Sequence, residues 1–263
     1  QRDPRTPADD HCAINVALYG PGARRWTMTE RSRASVARER HSFAVGPSRL
    51  HWDGSSLAID LDEVGMPLPQ RVRGRVRVWP RGLSTFGAAL DDTGRHRWGP
   101  IAPCARVEVV LDRPGLRWSG DAYLDSNEGD EPIDGPFTSW DWSRAALSDG
   151  STAVIYDLRQ KSGVERVIAQ RFAPDGRSEP FEAPPRQALA RSMWRIERHL
   201  RSGPGAPPRV RQTLEDTPFY VRSLIDAQLL GETVTSVHET LDLPRLVARS
   251  TRLMLPWRMP RVT

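Results

Sequence analysis

The run Val72-Arg73-Gly74-Arg75-Val76-Arg77-Val78 alternates apolar and cationic side chains with a period of two, one glycine replacing a valine. On a helix this pattern would scatter the valines around the axis. On a strand it puts every valine on one face and every arginine on the other, which demands a sheet with one buried side. Shorter runs of strand character, punctuated by Gly, Pro and Asp, recur at residues 13–19, 24–29, 57–62, 106–111 and 116–123, and again at 138–146, 152–159 and 165–172. The last two flank a turn at 160–163 and read as a hairpin. Further strands are expected near 194–199, 212–215, 220–226 and 233–241. Helical character is confined to 29–40 and to 243–255, where Pro244 suits a first turn.

Many short strands at even spacing point to a mainly β fold, barrel or sandwich, with few short helices. Strand signals yield to Pro and Gln between Pro180 and Pro185. The expected division is therefore an N-terminal β domain over 1–182 and a C-terminal one over 183–263.

Composition narrows the partners. The formal charge is +5 over 263 residues, carried almost wholly by Arg, with Lys161 the single lysine. The arginines are interspersed with Asp and Glu, and no basic run interleaves with aromatics, so no nucleic-acid partner is expected. The scatter reads as a solvated surface, while its sign permits weak attraction to an anionic bilayer. Cys12 and Cys104 lack metal spacing and read as two unrelated thiols. No apolar run is long enough to cross a membrane as a helix. The chain opens on Gln1 in a polar segment, and a natural N-terminal part is expected to be missing.

The usual chemical motifs are absent. Gly20-Pro21-Gly22 and Gly203-Pro204-Gly205 do not open helices after strands, no Gly-x-Ser-x-Gly elbow occurs, and the six histidines show no metal spacing. Neither cofactor nor metal is expected. What remains is an acid–aromatic constellation. Tyr123-Leu124-Asp125-Ser126-Asn127 leads through Glu131-Pro132 to Trp140-Asp141-Trp142, with His96-Arg97-Trp98 upstream. On strands, Tyr123 shares a face with Asp125, and His96 with Trp98. Taken alone, residues 125–129 read better as a turn. Asn127 suits turn shape and an orienting bond to Asp125 equally. Trp118, Trp140 and Trp142 read as core or pocket wall, and His96 as a surface histidine bonded to a carbonyl.

Four segments carry a resemblance: Asp10-His11-Cys12-Ala13-Ile14-Asn15-Val16-Ala17-Leu18-Tyr19-Gly20, Met28-Thr29-Glu30-Arg31, residues 123–132, and Val237-His238-Glu239-Thr240-Leu241-Asp242. In these the chain closely resembles bacterial carotenoid 1,2-hydratases, also called hydroxyneurosporene synthases. The resemblance implies two lipocalin-like β units and members longer at the front. It implies cofactor-independent addition of water to the terminal C1–C2 double bond of acyclic carotenoids such as neurosporene or lycopene. Asp125, His96, Trp98 and Tyr123 fall on the family's catalytic positions. Asn127, Trp118, Trp140 and Trp142 are then expected to bind substrate, while His238 and Glu239 support structure. The expected scheme is protonation by Asp125, a tertiary cation against Trp98 and Tyr123, and water attack with His96 or the Asp125 carboxylate taking the proton. Such a substrate implies peripheral association with the cytoplasmic face of a bacterial inner membrane. The 253–259 segment suits that contact and core packing alike. A lipocalin-like carrier of an apolar ligand and a polyene isomerase or cyclase are the competing readings.

Overall fold

The structure, a computed structural model, describes residues 7–262. It separates into two compact units, each assembled from separated stretches. The first takes the described residues up to Pro80, Arg106–Ala122 and those from Arg252 onward; the second takes Arg81–Ala105 and Tyr123–Thr251.

The first unit opens with an antiparallel pair, β1 (Asn15–Leu18) and β2 (Arg25–Met28), followed by the short β3 (Glu30–Arg31). A meander then runs through β4 (Val36–Arg38), β5 (Ser42–Val45), β6 (Ser48–Trp52), β7 (Leu57–Val64) and β8 (Arg71–Pro80). Two long strands, β10 (His96–Arg113) and β11 (Leu116–Gly129), join its edge in the order β11-β10-β8-β7-β6-β5-β4, and the short β9 (Ala88–Ala89) pairs with β10. β10 and β11 are long enough to contribute residues to both units.

The Val/Arg alternation is realised on β8. Val72 and Val78 are buried, and the arginines between them are exposed. Arg75 pairs with Asp60 directly across on β7, at 2.6 Å, and Arg71 with Asp62 at the same distance. Gly74 holds the apolar register for a steric reason: a Cβ there would stand 2.3 Å from the Val110 carbonyl oxygen.

The second unit is a seven-stranded antiparallel sheet. Its strands are β12 (Phe137–Ala146), β13 (Thr152–Gln160), β14 (Glu165–Phe172), β15 (Ser178–Pro180), β18 (Arg209–Asp216), β19 (Tyr220–Leu229) and β20 (Glu232–Asp242), in the order β15-β14-β13-β12-β20-β19-β18. A separate hairpin is formed by β16 (Arg186–Leu189) and β17 (Arg198–Arg201). β13 is buried on both faces, which hides its period. Val154, Tyr156 and Leu158 join one apolar cluster and Ala153 and Ile155 another. Two helices close the chain, α1 (Leu243–Leu246), capped by the Asp242 carboxylate, and α2 (Arg249–Arg258); β21 (Arg261–Val262) then pairs with β3.

The mainly β, lipocalin-like reading with few short helices is met. Among the described residues neither large sheet closes into a barrel, since each strand order has two ends. Three expectations change. The boundary at 182/183 cuts through one sheet, because β12 pairs with β20 over seven residue pairs. The 29–40 segment holds only a single 3-10 turn, Arg33–Ser35, before β4. Residues 125–129 form no turn, because β11 runs straight on to Gly129. Both cysteines are free thiols.

The first unit also buries an ion pair. Arg31 Nη2 donates to Glu63 Oε2 at 2.8 Å, the Ser48 hydroxyl donates to Oε1 at 2.6 Å, and Glu63 is wholly buried. Removing one partner leaves the other charge buried alone. Glu63→Ala is therefore expected to cost about 3–5 kcal/mol of stability in urea unfolding, against a near-neutral effect for the exposed Asp60→Ala.

Candidate active site

Register builds one wall of the site. Three rows cross β13, β12, β20 and β19: Leu158–Trp140–Leu241–Tyr220, Tyr156–Trp142–Glu239–Arg222 and Val154–Arg144–Val237–Leu224. Positions two apart on a strand share a face, so these rows form one surface of the sheet. Trp140, Trp142 and Tyr156 supply its aromatic floor, and Arg144, Arg222 and Glu239 its charges. Together with Tyr123, Asp125 and Asn127 of β11, and with Ile133, they line a cavity of about 520 Å³.

Asp125 is held from two sides. The Trp98 indole N–H donates to its Oδ2 at 2.8 Å, and the Tyr123 hydroxyl donates to the same oxygen at 3.2 Å. Trp98 is 1% exposed, and Phe86, Tyr156 and Phe172 pack edge-on around its ring at centroid distances of 5.9, 5.6 and 6.5 Å. It therefore offers the site its N–H and keeps its ring in the core. Tyr123 lies 5.6 Å from the Trp142 ring and carries the Arg144 guanidinium over its own ring at 5.3 Å. Burial pushes the Asp125 carboxyl above its ordinary value of 3.8, against the pull of both hydrogen bonds and of Arg144. Burial likewise drives the Tyr123 phenol up, so it stays a donor.

Six of the expected residues thus converge: Asp125, Trp98, Tyr123, Trp140, Trp142 and the exposed Asn127 at the rim. Two do not. Trp118 is half-exposed on the part of β11 that belongs to the first unit, and it is not on the cavity wall. His96 is neither a surface histidine nor a wall residue. It is 4% exposed, with its ring 5.2 Å from Phe137, two residues before Trp98 on β10. Sequence reasoning missed Tyr156, Arg144 and Arg222, and it did not place Glu239 on the cavity wall. The signal for Glu239 was strand alternation: His238 points to the other face, donating from Nε2 to the His199 carbonyl at 2.8 Å, while Glu239 turns to the cavity and pairs with Arg222 at 2.7 Å. A three-residue group that could hold a cation, Asp91, His96 and Glu131, brings its ligand atoms within 4.8 Å of one another. Its members lie on separate segments, so sequence spacing did not reveal it.

Residues 2–263 match the family described as carotenoid hydratase CrtC. The acyclic carotenoid 1,2-hydratase of Rubrivivax gelatinosus is 64% identical over 98% of this chain, which spans 63% of that relative's length. The enzyme of the same name from Cereibacter sphaeroides is 39% identical over 98% of this chain and 91% of its own. A solved structure described as AttH, from Nitrosomonas europaea, superposes with a TM-score of 0.53 at 13% identity, over 82% of this chain and 76% of that one, a likeness of fold alone. The match over nearly every residue shows that the chain belongs to the carotenoid hydratase CrtC family.

Proposed function

We propose that this protein adds water, without a cofactor, to the terminal C1–C2 double bond of an acyclic carotenoid such as neurosporene or lycopene, with Asp125 as the acid. The observation that carries the reading is a half-buried carboxyl of raised pKa, aimed into an aromatic cavity by Trp98 and Tyr123, in a chain of the hydratase family.

An isolated trisubstituted alkene is a weak base, so its protonation needs an acid held neutral and close. Both donors engage Oδ2, which supports Oδ1 as the oxygen that carries the acidic proton of Asp125. That proton goes to C2 and forms the C2–H bond, leaving a tertiary cation at C1. Trp140, Trp142 and Tyr156 offer π density to the cation. Water forms the C1–O bond and gives its extra proton to Glu239, the second carboxylate on the wall. Glu239 then releases that proton to solvent, and Asp125 regains one from solvent, so the enzyme ends as it began. His96, behind the wall, acts as a positioning residue for the strand that bears Trp98.

The assay is incubation with detergent-dispersed lycopene or neurosporene in heavy-oxygen water, read by mass spectrometry. A labelled tertiary alcohol is expected, reduced by about 10³-fold or more in Asp125→Asn and by a smaller factor in Glu239→Gln. Unaltered polyene that co-purifies with the protein would mark a carrier instead, and an unlabelled isomer an isomerase or cyclase.

Two pH dependences follow from the raised pKa. Turnover needs neutral Asp125, so kcat falls as pH rises through the folded-state pKa. Protonation also favours folding here: the stability linked to Asp125 is full below about 3.8 and is lost as pH rises through the higher folded value. Asp125→Asn is therefore expected to unfold at a higher temperature than the parent near pH 7, and the gap should close toward pH 3.5 in parallel melts.

The substrate lives in a bilayer, and peripheral contact with the cytoplasmic face of the bacterial inner membrane belongs to the same proposal. On α2, Leu253 and Trp257 are each 75% exposed, one turn apart, with Met254 beside them and Arg249 and Arg252 exposed nearby. Each large side chain inserted contributes about 1.5–3 kcal/mol. Leu253→Ala with Trp257→Ala should thus weaken co-sedimentation with anionic vesicles by more than about tenfold, and unchanged binding would remove α2 from the contact.

A further inference from the structure

We propose that Asp91, His96 and Glu131 form a binding site for one divalent first-row cation of the Zn²⁺ class. Asp91 is 2% exposed and His96 4%. Asp91 Oδ2 and His96 Nε2 are both buried without a hydrogen-bond partner, although such groups are almost always satisfied. His96 Nε2 stands 3.9 Å from Glu131 Oε1, beyond hydrogen-bond length, and the three ligand atoms all lie within 4.8 Å of one another.

Arg95 explains why these atoms converge. Its backbone N–H donates to Asp91 Oδ1 at 3.1 Å, and its guanidinium donates to Glu131 Oε2, also at 3.1 Å. Arg95 thus engages one oxygen of each carboxylate, leaving Asp91 Oδ2 without a hydrogen-bond partner and Glu131 Oε1 3.9 Å from the imidazole. Outer partners of bound metals orient first ligands in this way. Zinc bonds to nitrogen and carboxylate oxygen run at about 2.0–2.2 Å, so one ion between His96 and Glu131 bridges nearly all of their separation. The partly exposed Glu131 side chain can close the rest. An imidazole ligand favours zinc and its neighbours over calcium or magnesium, which take oxygen alone.

The cation would stand off the lining of the Asp125 cavity and touch no reacting carbon. Its effect is positional. It ties the loop before β10 and the segment after β11 to the strand end that carries Trp98, the donor to Asp125.

The test uses the whole protein, stripped with EDTA, titrated with zinc chloride and desalted. Bound zinc is read by elemental analysis and unfolding by calorimetry, so neither readout depends on turnover. One equivalent of zinc and a zinc-dependent rise in unfolding temperature are expected. Affinity should fall at least tenfold in Glu131→Gln, at the least buried ligand, and in His96→Gln, with circular dichroism checking the fold of each. Calcium and magnesium should not substitute. Zinc uptake by the parent no greater than by Glu131→Gln would overturn the proposal. Should both variants fail to fold, a parent whose unfolding temperature ignores zinc and EDTA alike overturns it equally.

Discussion

A carboxyl group can sit among tryptophans and tyrosines only if its polar atoms are met there, and the second unit is organised around that constraint. Trp98 reaches Asp125 from one long strand and Tyr123 from the next, while the ring of Trp98 is locked between Phe86, Tyr156 and Phe172. The acid is thereby fixed by core packing rather than by a loop. Rigid support of this kind lets a site hold its geometry without reorganising during the reaction. The same burial that positions the carboxyl also raises its pKa above the ordinary carboxylate value.

The seven-stranded sheet divides its labour by face. One face carries the aromatic rows and Glu239. The other is a polar anchor: Asp141 accepts from Thr240 at 2.6 Å and from Arg159 at 2.8 Å, and Arg201 pairs with Asp157 at 2.8 Å. His238 adds its bond to the His199 carbonyl, joining the β16–β17 hairpin to the sheet. Neighbouring residues such as His238 and Glu239 thus serve unrelated ends, one holding structure and the other facing the cavity. Alternation alone separates them.

Much of this was readable from residue order. The period-two run of β8, the β13–β14 hairpin and the Pro244 helix start are local signals, and each appears where expected. The shared face of Tyr123 and Asp125 was legible too, because two-residue spacing on a strand puts side chains together, whereas Trp98, on the neighbouring strand, was joined to them through the family resemblance. The turn expected at residues 125–129 failed for a tertiary reason. Asp, Asn and Gly favour turns locally, but here β11 continues beside β10, and ladder pairing overrides that preference. Strands buried on both faces, such as β13, show no alternation to read.

By itself the sequence determined that the chain is mainly β, which side chains share a strand face, and which residues can act as an acid, because these follow from local period and side-chain chemistry. Only the tertiary structure decided that β12 pairs with β20 across more than ninety residues, so that Glu239 and Arg222 stand in one row with Trp142 and Tyr156. It alone withdrew His96 and Trp118 from the cavity wall. The reason is that long-range strand pairing depends on how whole faces bury one another, and no window of sequence contains both partners.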